Sequence, residues 1–144
     1  MRLIGFFKEL DPRNPAVYTE ELSNPGAEQP DYPKSDVVRY LSAGYPILDV
    51  MEGTSDVIGS AFRVPGGSSV VSDGTFAWRV DLEHYVQHYE IPLPVEFVSF
   101  MRENGFLIPR LSQSRLVEIS ISVNELLGFH VDPGAAPRNE RSSN

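Results

Sequence analysis

Cysteine is absent from the 144-residue chain. That removes disulfide staples, thiolate zinc sites and a cysteine nucleophile, and says little about compartment. Lysine is almost absent as well, with Lys8 and Lys34 its two occurrences. Against 20 acidic residues there are 12 basic ones, for a formal net charge of -8. This is the wrong sign for neutralising a phosphate backbone, so nucleic acid is not an expected partner. The chain also lacks long hydrophobic runs. The apolar stretch near its start, Leu3 to Phe7, is shorter than a secretory core and far shorter than a bilayer span. The expectation is a cytoplasmic protein with no membrane partner. No Gly-x-Ser-x-Gly elbow, Walker-type loop, Gly-x-Gly-x-x-Gly or EF-hand spacing occurs, and no cofactor is expected.

What is present suffices for one core. Hydrophobic residues make up 41% of the chain, and Trp78, six Tyr and eight Phe each carry large buriable area. The expected fold is a single α+β domain over residues 1–130, a small, mostly antiparallel sheet with helices packed on one face. After Phe129 the composition turns to Asp, Pro, Gly, Ala, Arg, Asn and Ser, and residues 131–144 are expected to be a disordered tail.

Local signals place the elements. Leu3 to Phe7 suits a short buried strand. Lys8 to Pro33, with five prolines, reads as irregular, with one helical turn near Tyr18 to Leu22. Ser35 is positioned to cap a helix to Ala43 ended by Gly44, and Tyr45 to Met51 reads as a strand. Gly53 to Gly67 has no clean period and is expected to be a loop with a short helix or strand. Asp73-Gly74 between β-prone runs predicts a two-residue hairpin turn of type I′, pairing Ser68–Ser72 with Thr75–Trp78. Asp81 then stands where an N-cap belongs, before the i, i+3, i+4, i+7 stripe Leu82, Tyr85, Val86 and Tyr89, so a helix is expected over 82–90. Pro94 opens a second helix to Asn104. Val117, Ile119, Ile121 and Val123 alternate with polar residues, which predicts a strand over 116–123 with one wet face.

Two clusters carry candidate chemistry. Asp81, His84 and His88 fall at helical spacing opposite the apolar stripe, which is two thirds of a hydrolytic zinc site. Tyr85 stands where a His-Glu-x-x-His helix would put its general base, and a capping Asp81 would face the backbone, so a solvated helix face is the preferred reading and no metal is expected. The second cluster is the acidic, proline-rich segment, whose Glu20, Glu21, Glu28 and Asp31 are the expected partner contacts. Trp78 is expected in the core with Arg79 covering its edge, and Asp73 is expected to be a turn residue.

The run Ser-Asp-Gly-Thr-Phe-Ala-Trp-Arg-Val-Asp-Leu-Glu-His-Tyr-Val (72–86) and the corner Ile-Pro-Leu-Pro-Val-Glu-Phe (91–97) resemble a group of small bacterial proteins, themselves similar to the immunity or accessory proteins encoded beside toxins. The resemblance covers about a third of the chain. It implies a non-catalytic binding protein that neutralises a basic protein toxin through an acidic surface. A metal-dependent hydrolase using Asp81, His84 and His88, and a structural or regulatory protein self-associating through the hairpin edge, are the alternatives.

Overall fold

The computed structural model of the chain describes residues 1–22 and 30–128. The expected tail over 131–144 and the side chain of Glu28 lie outside them. Among the described residues six strands and four α-helices follow in order, with one turn of 3-10 helix at Lys8–Leu10 after the first strand: β1 (Arg2–Ile4), α1 (Lys34–Ser42), β2 (Tyr45–Leu48), β3 (Thr54–Ser55), β4 (Arg63–Val64), β5 (Val70–Ser72), β6 (Phe76–Arg79), α2 (Leu82–His88), α3 (Val95–Glu103) and α4 (Gln113–Leu126). The main sheet runs β1-β6-β5-β2, antiparallel except for the parallel pair of β1 and β6, and β3 with β4 forms a separate two-stranded ribbon. This is a small α+β fold.

The hairpin forms where its turn chemistry puts it, but shifted by one residue. Asp73 N–H donates to the Phe76 carbonyl, so Gly74 and Thr75 are the two loop residues and only Gly74 has positive φ, at 102°. Glycine first and an ordinary residue second matches a type II′ loop, in place of the expected type I′. The register pairs Val70 with Arg79 and Val71 with Trp78. The two hairpin strands lie at the centre of the sheet, flanked by β1 and β2, so neither has a free edge for self-association.

Alternation along β6 then builds two cores. Phe76 and Trp78 point to one face with Ile4 and meet Val37, Tyr40, Leu41, Tyr85, Val86, Phe97 and Met101 from α1, α2 and α3. The helices expected over 82–90 and 94–104 thus share a face of the sheet. Ala77 points to the opposite face with Phe6 and Val70, and there it meets Ile119 and Val123 of α4. Between α1 and β2 the chain presses Gly44 onto the sheet. The helix ends at Ala43, and a Cβ on Gly44 would sit 2.9 Å from both Trp78 Cζ2 and Val71 Cγ2, so Gly44 is there for closeness to the sheet.

The strand expected over 116–123 is a helix. Ser112 caps α4, its Oγ accepting from Arg115 N–H at 3.1 Å, and Ile119, Val123 and Leu127 face inward at helical spacing. Val117 and Ile121, assigned to the core by a period-two reading, are 42% and 41% exposed. Changing Ser112 to alanine should lower stability by about 1 kcal/mol through loss of that cap, read by chemical denaturation. The turn expected near Tyr18 to Leu22 also moves. It forms at Asn14–Tyr18, where Tyr18 N–H reaches the Asn14 carbonyl at 2.9 Å, and the residues after it run extended. Among the described residues no helix is long and apolar enough to cross a membrane.

Candidate functional site

The extended residues after Tyr18 lie along the continuation of β1. Glu20 and Phe7 form a parallel bridge, with Lys8 N–H donating to the Glu20 carbonyl at 2.7 Å and Glu20 N–H to the Phe6 carbonyl at 3.2 Å. The Glu20 carboxylate turns back onto the same strand, Oε2 accepting from Gly5 N–H at 2.8 Å and Phe6 N–H at 3.3 Å. Burial pushes its pKa above the usual carboxylate value, and the two amides with Arg2 work the other way. Glu20 is therefore an anchor for the segment. Glu9 adds a second tie, accepting from Leu22 N–H at 3.3 Å.

The anchored segment presents Glu21 at the surface, where Lys8 Nζ lies 3.2 Å from its carboxylate. Asp31, also exposed, borders α3 instead, and its carbonyl oxygen accepts from Arg102 at 3.2 Å. The next residue secures that end, Tyr32 donating its hydroxyl to the Ile91 carbonyl. The segment that carries these acidic residues is thus tied down at two places, at Glu20 along the continuation of β1 and through the Asp31 main chain on α3.

Asp81, His84 and His88 are not gathered. The Asp81 carboxylate is buried and caps no amide. It takes the Nε–Nη2 edge of the Arg79 guanidinium, Nη2 at 2.8 Å and Nε at 3.1 Å, and the Thr54 hydroxyl at 2.9 Å. Burial raises its pKa, against the pull of Arg79 and Thr54. Arg79 points away from Trp78 to the opposite face, its Nη1 reaching the Tyr18 hydroxyl at 3.2 Å. His84 and His88 instead border the Phe62 ring, their centroids 5.6 and 5.1 Å from it, while its edge meets Tyr85. Among the described residues no three His, Asp or Glu side chains cluster in a way that could hold a metal.

Two buried carboxylates do work that the sequence reading missed or understated. Asp73 is more than a turn residue. Its Oδ1 accepts from Thr75 and Phe76 N–H, and its Oδ2 from the Tyr40 hydroxyl at 2.7 Å, which joins the hairpin to α1. Asp56 organises the loop between β3 and β4, accepting from Ile58, Gly59 and Ala61 N–H and from the Tyr89 hydroxyl. The local signal was an Asp two residues ahead of the Ile58-Gly59 step, the spacing of an Asx turn. Its Tyr89 partner is distant in sequence and left none.

Burial works against the Asp56 charge, but the Tyr89 hydroxyl and the three amides outweigh it and hold the pKa below its ordinary value of 3.8. A depressed acid contributes stability that is present above its unfolded-state pKa and lost as pH falls through the folded one. In denaturation curves taken from neutral pH downward, Asp56→Asn should therefore lose most relative to the parent at neutral pH. The gap should close as pH drops below 3.8. A gap that stays constant to the lowest pH would show that the charge contributes nothing.

One cleft of about 220 Å³ lies at the hairpin tip, lined by Met1, Gly74, Thr75, Arg115, Ile119 and Ser122. It is smaller than ordinary small-molecule sites, and Arg115 spans its rim, donating to the Gly74 carbonyl at 2.9 Å and lying 3.4 Å from Glu118. The chain matches no protein-family model, no curated protein and no solved structure.

Proposed function

We propose that the chain is a non-catalytic binding protein of the immunity type, acting in the bacterial cytoplasm and neutralising a basic protein toxin through its acidic surface. The observation that supports this reading is the anchoring of the acidic segment. Glu20 fixes the main chain of residues 18–22 against β1, so Glu21 is held out on ordered backbone. Contacts offered from a pre-ordered segment lose less entropy on binding than contacts from a loose one. Blocking a toxin requires shape and opposite charge and no reacting group, and a net charge of -8 speeds encounter with a cationic surface.

The test begins with capture from the native cell and mass spectrometry to identify the partner, then measures association at two ionic strengths. Glu21→Gln, Glu28→Gln and Asp31→Asn together should slow the on-rate severalfold and leave folding intact, and added salt should slow the parent protein in the same way. Glu20 stays out of this variant because its carboxylate holds backbone amides. Association rates indifferent to both salt and the three substitutions would overturn the proposal.

A further inference from the structure

We propose that the outer edge of residues 19–22 receives an extended, lysine- or arginine-bearing segment of the partner as an added β-strand. This rests on the acidic-surface reading above and specifies how a basic partner docks. Main-chain groups of an extended segment alternate in direction, so a residue whose N–H and C=O both face one neighbour leaves the next residue facing the other way. Glu20 turns both groups inward, to Phe6 and Lys8, and Leu22 N–H turns inward again to Glu9. Thr19 and Glu21 therefore direct their N–H and C=O outward, and both are exposed. Among the described residues neither has a main-chain partner.

The opposite edge of the sheet is closed to such an addition. Pro46 in β2 has no N–H to offer, and the Ile47 carbonyl already accepts from Ser120 of α4 at 3.1 Å. Charge selects the occupant of the open edge. Glu21 borders it, and Lys8 holds Glu21 in an ion pair whose side chains are 54% and 71% exposed. An exposed pair of this kind is weak, so an incoming guanidinium or ammonium can take the place of Lys8. Strand addition then supplies main-chain hydrogen bonds while the Glu21 carboxylate chooses a cationic side chain.

The probe is a short synthetic peptide of alternating lysine and threonine, added to the full chain at low salt, with amide hydrogen exchange followed by NMR. The expected result is saturable binding in which the Thr19 and Glu21 amides gain protection by about tenfold or more. Binding should be lost when every backbone amide of the peptide is N-methylated, and weakened by Glu21→Lys. Equal binding of the methylated peptide, or binding without protection at Thr19 and Glu21, would overturn strand addition and leave the acidic-surface reading standing. No binding of either peptide at low salt would overturn both.

Discussion

Replacing Trp78 by alanine should lower the stability of the protein by about 3–5 kcal/mol, the range found when a large aromatic leaves a packed core. Trp78 is fully buried. Its ring stacks on Tyr40 at 5.9 Å between centroids and packs on Phe97 at 5.4 Å, and Gly44 comes close against its edge. These neighbours come from two separate helices, α1 and α3, packed on the same face of a central strand, so no single backbone shift can fill the space left behind. The ring also carries one polar obligation. Its Nε1–H donates to the Leu41 carbonyl at 3.0 Å, near the end of α1, where a helix has carbonyls without helical partners. Trp78→Phe keeps most of the apolar contact and orphans that carbonyl, so its cost should be smaller, about 1–3 kcal/mol. Urea denaturation of the two variants separates the packing from the hydrogen bond. An unchanged midpoint for Trp78→Ala would contradict the placement of the ring at the centre of the domain.

The parts of this fold legible in the sequence are those whose determinants are local. Gly74 announces a turn because few other residues accept its positive φ, and Leu82, Tyr85, Val86 and Tyr89 announce a helix because their spacing is set within two turns. α4 shows how local patterning fails. Ile119 and Val123 are four apart, a spacing that suits a strand face and a helix face equally, and Val117 and Ile121 tipped the pattern toward period two. Ser112, read as a cap with Ile119, Val123 and Leu127 behind it, was the signal for the helix.

The candidate site was harder to read for the same reason. Charge identified Glu20 and Glu21 as an acidic pair, but only the register of the segment against β1 separates the anchor from its exposed neighbour. Asp81 was ambiguous because an acid before an apolar run has the same sequence appearance whether it caps a helix or enters the core. The choice depends on Thr54 and on which face Arg79 takes, neither of which is visible in the local sequence.

Arg79→Met should be as damaging as the loss of Trp78, at about 3–5 kcal/mol, because removing one partner of a buried ion pair strands the other. The side chains of Arg79 and Asp81 are 5% and 2% exposed, so water cannot take over the solvation of a lone carboxylate. Asp81→Leu should be comparably harmful, leaving a buried guanidinium with Tyr18 as its remaining side-chain partner among the described residues. The double variant, Arg79→Met with Asp81→Leu, should cost far less than the sum of the two, since it removes both charges and restores apolar packing. The pH profile gives an independent reading. Burial already raises the pKa of Asp81, with Arg79 opposing it, so without the guanidinium the carboxyl rises further. An acid whose folded pKa lies above its unfolded value makes the folded state take up the proton first. Its contribution to stability is then full at low pH and lost as pH rises through the folded pKa. Arg79→Met should therefore recover part of its deficit on acidification from neutral pH, whereas the double variant, lacking the carboxyl, should show no such recovery. Single-variant costs that add, together with a deficit for Arg79→Met that does not change with pH, would show that the pair does not act as a coupled unit.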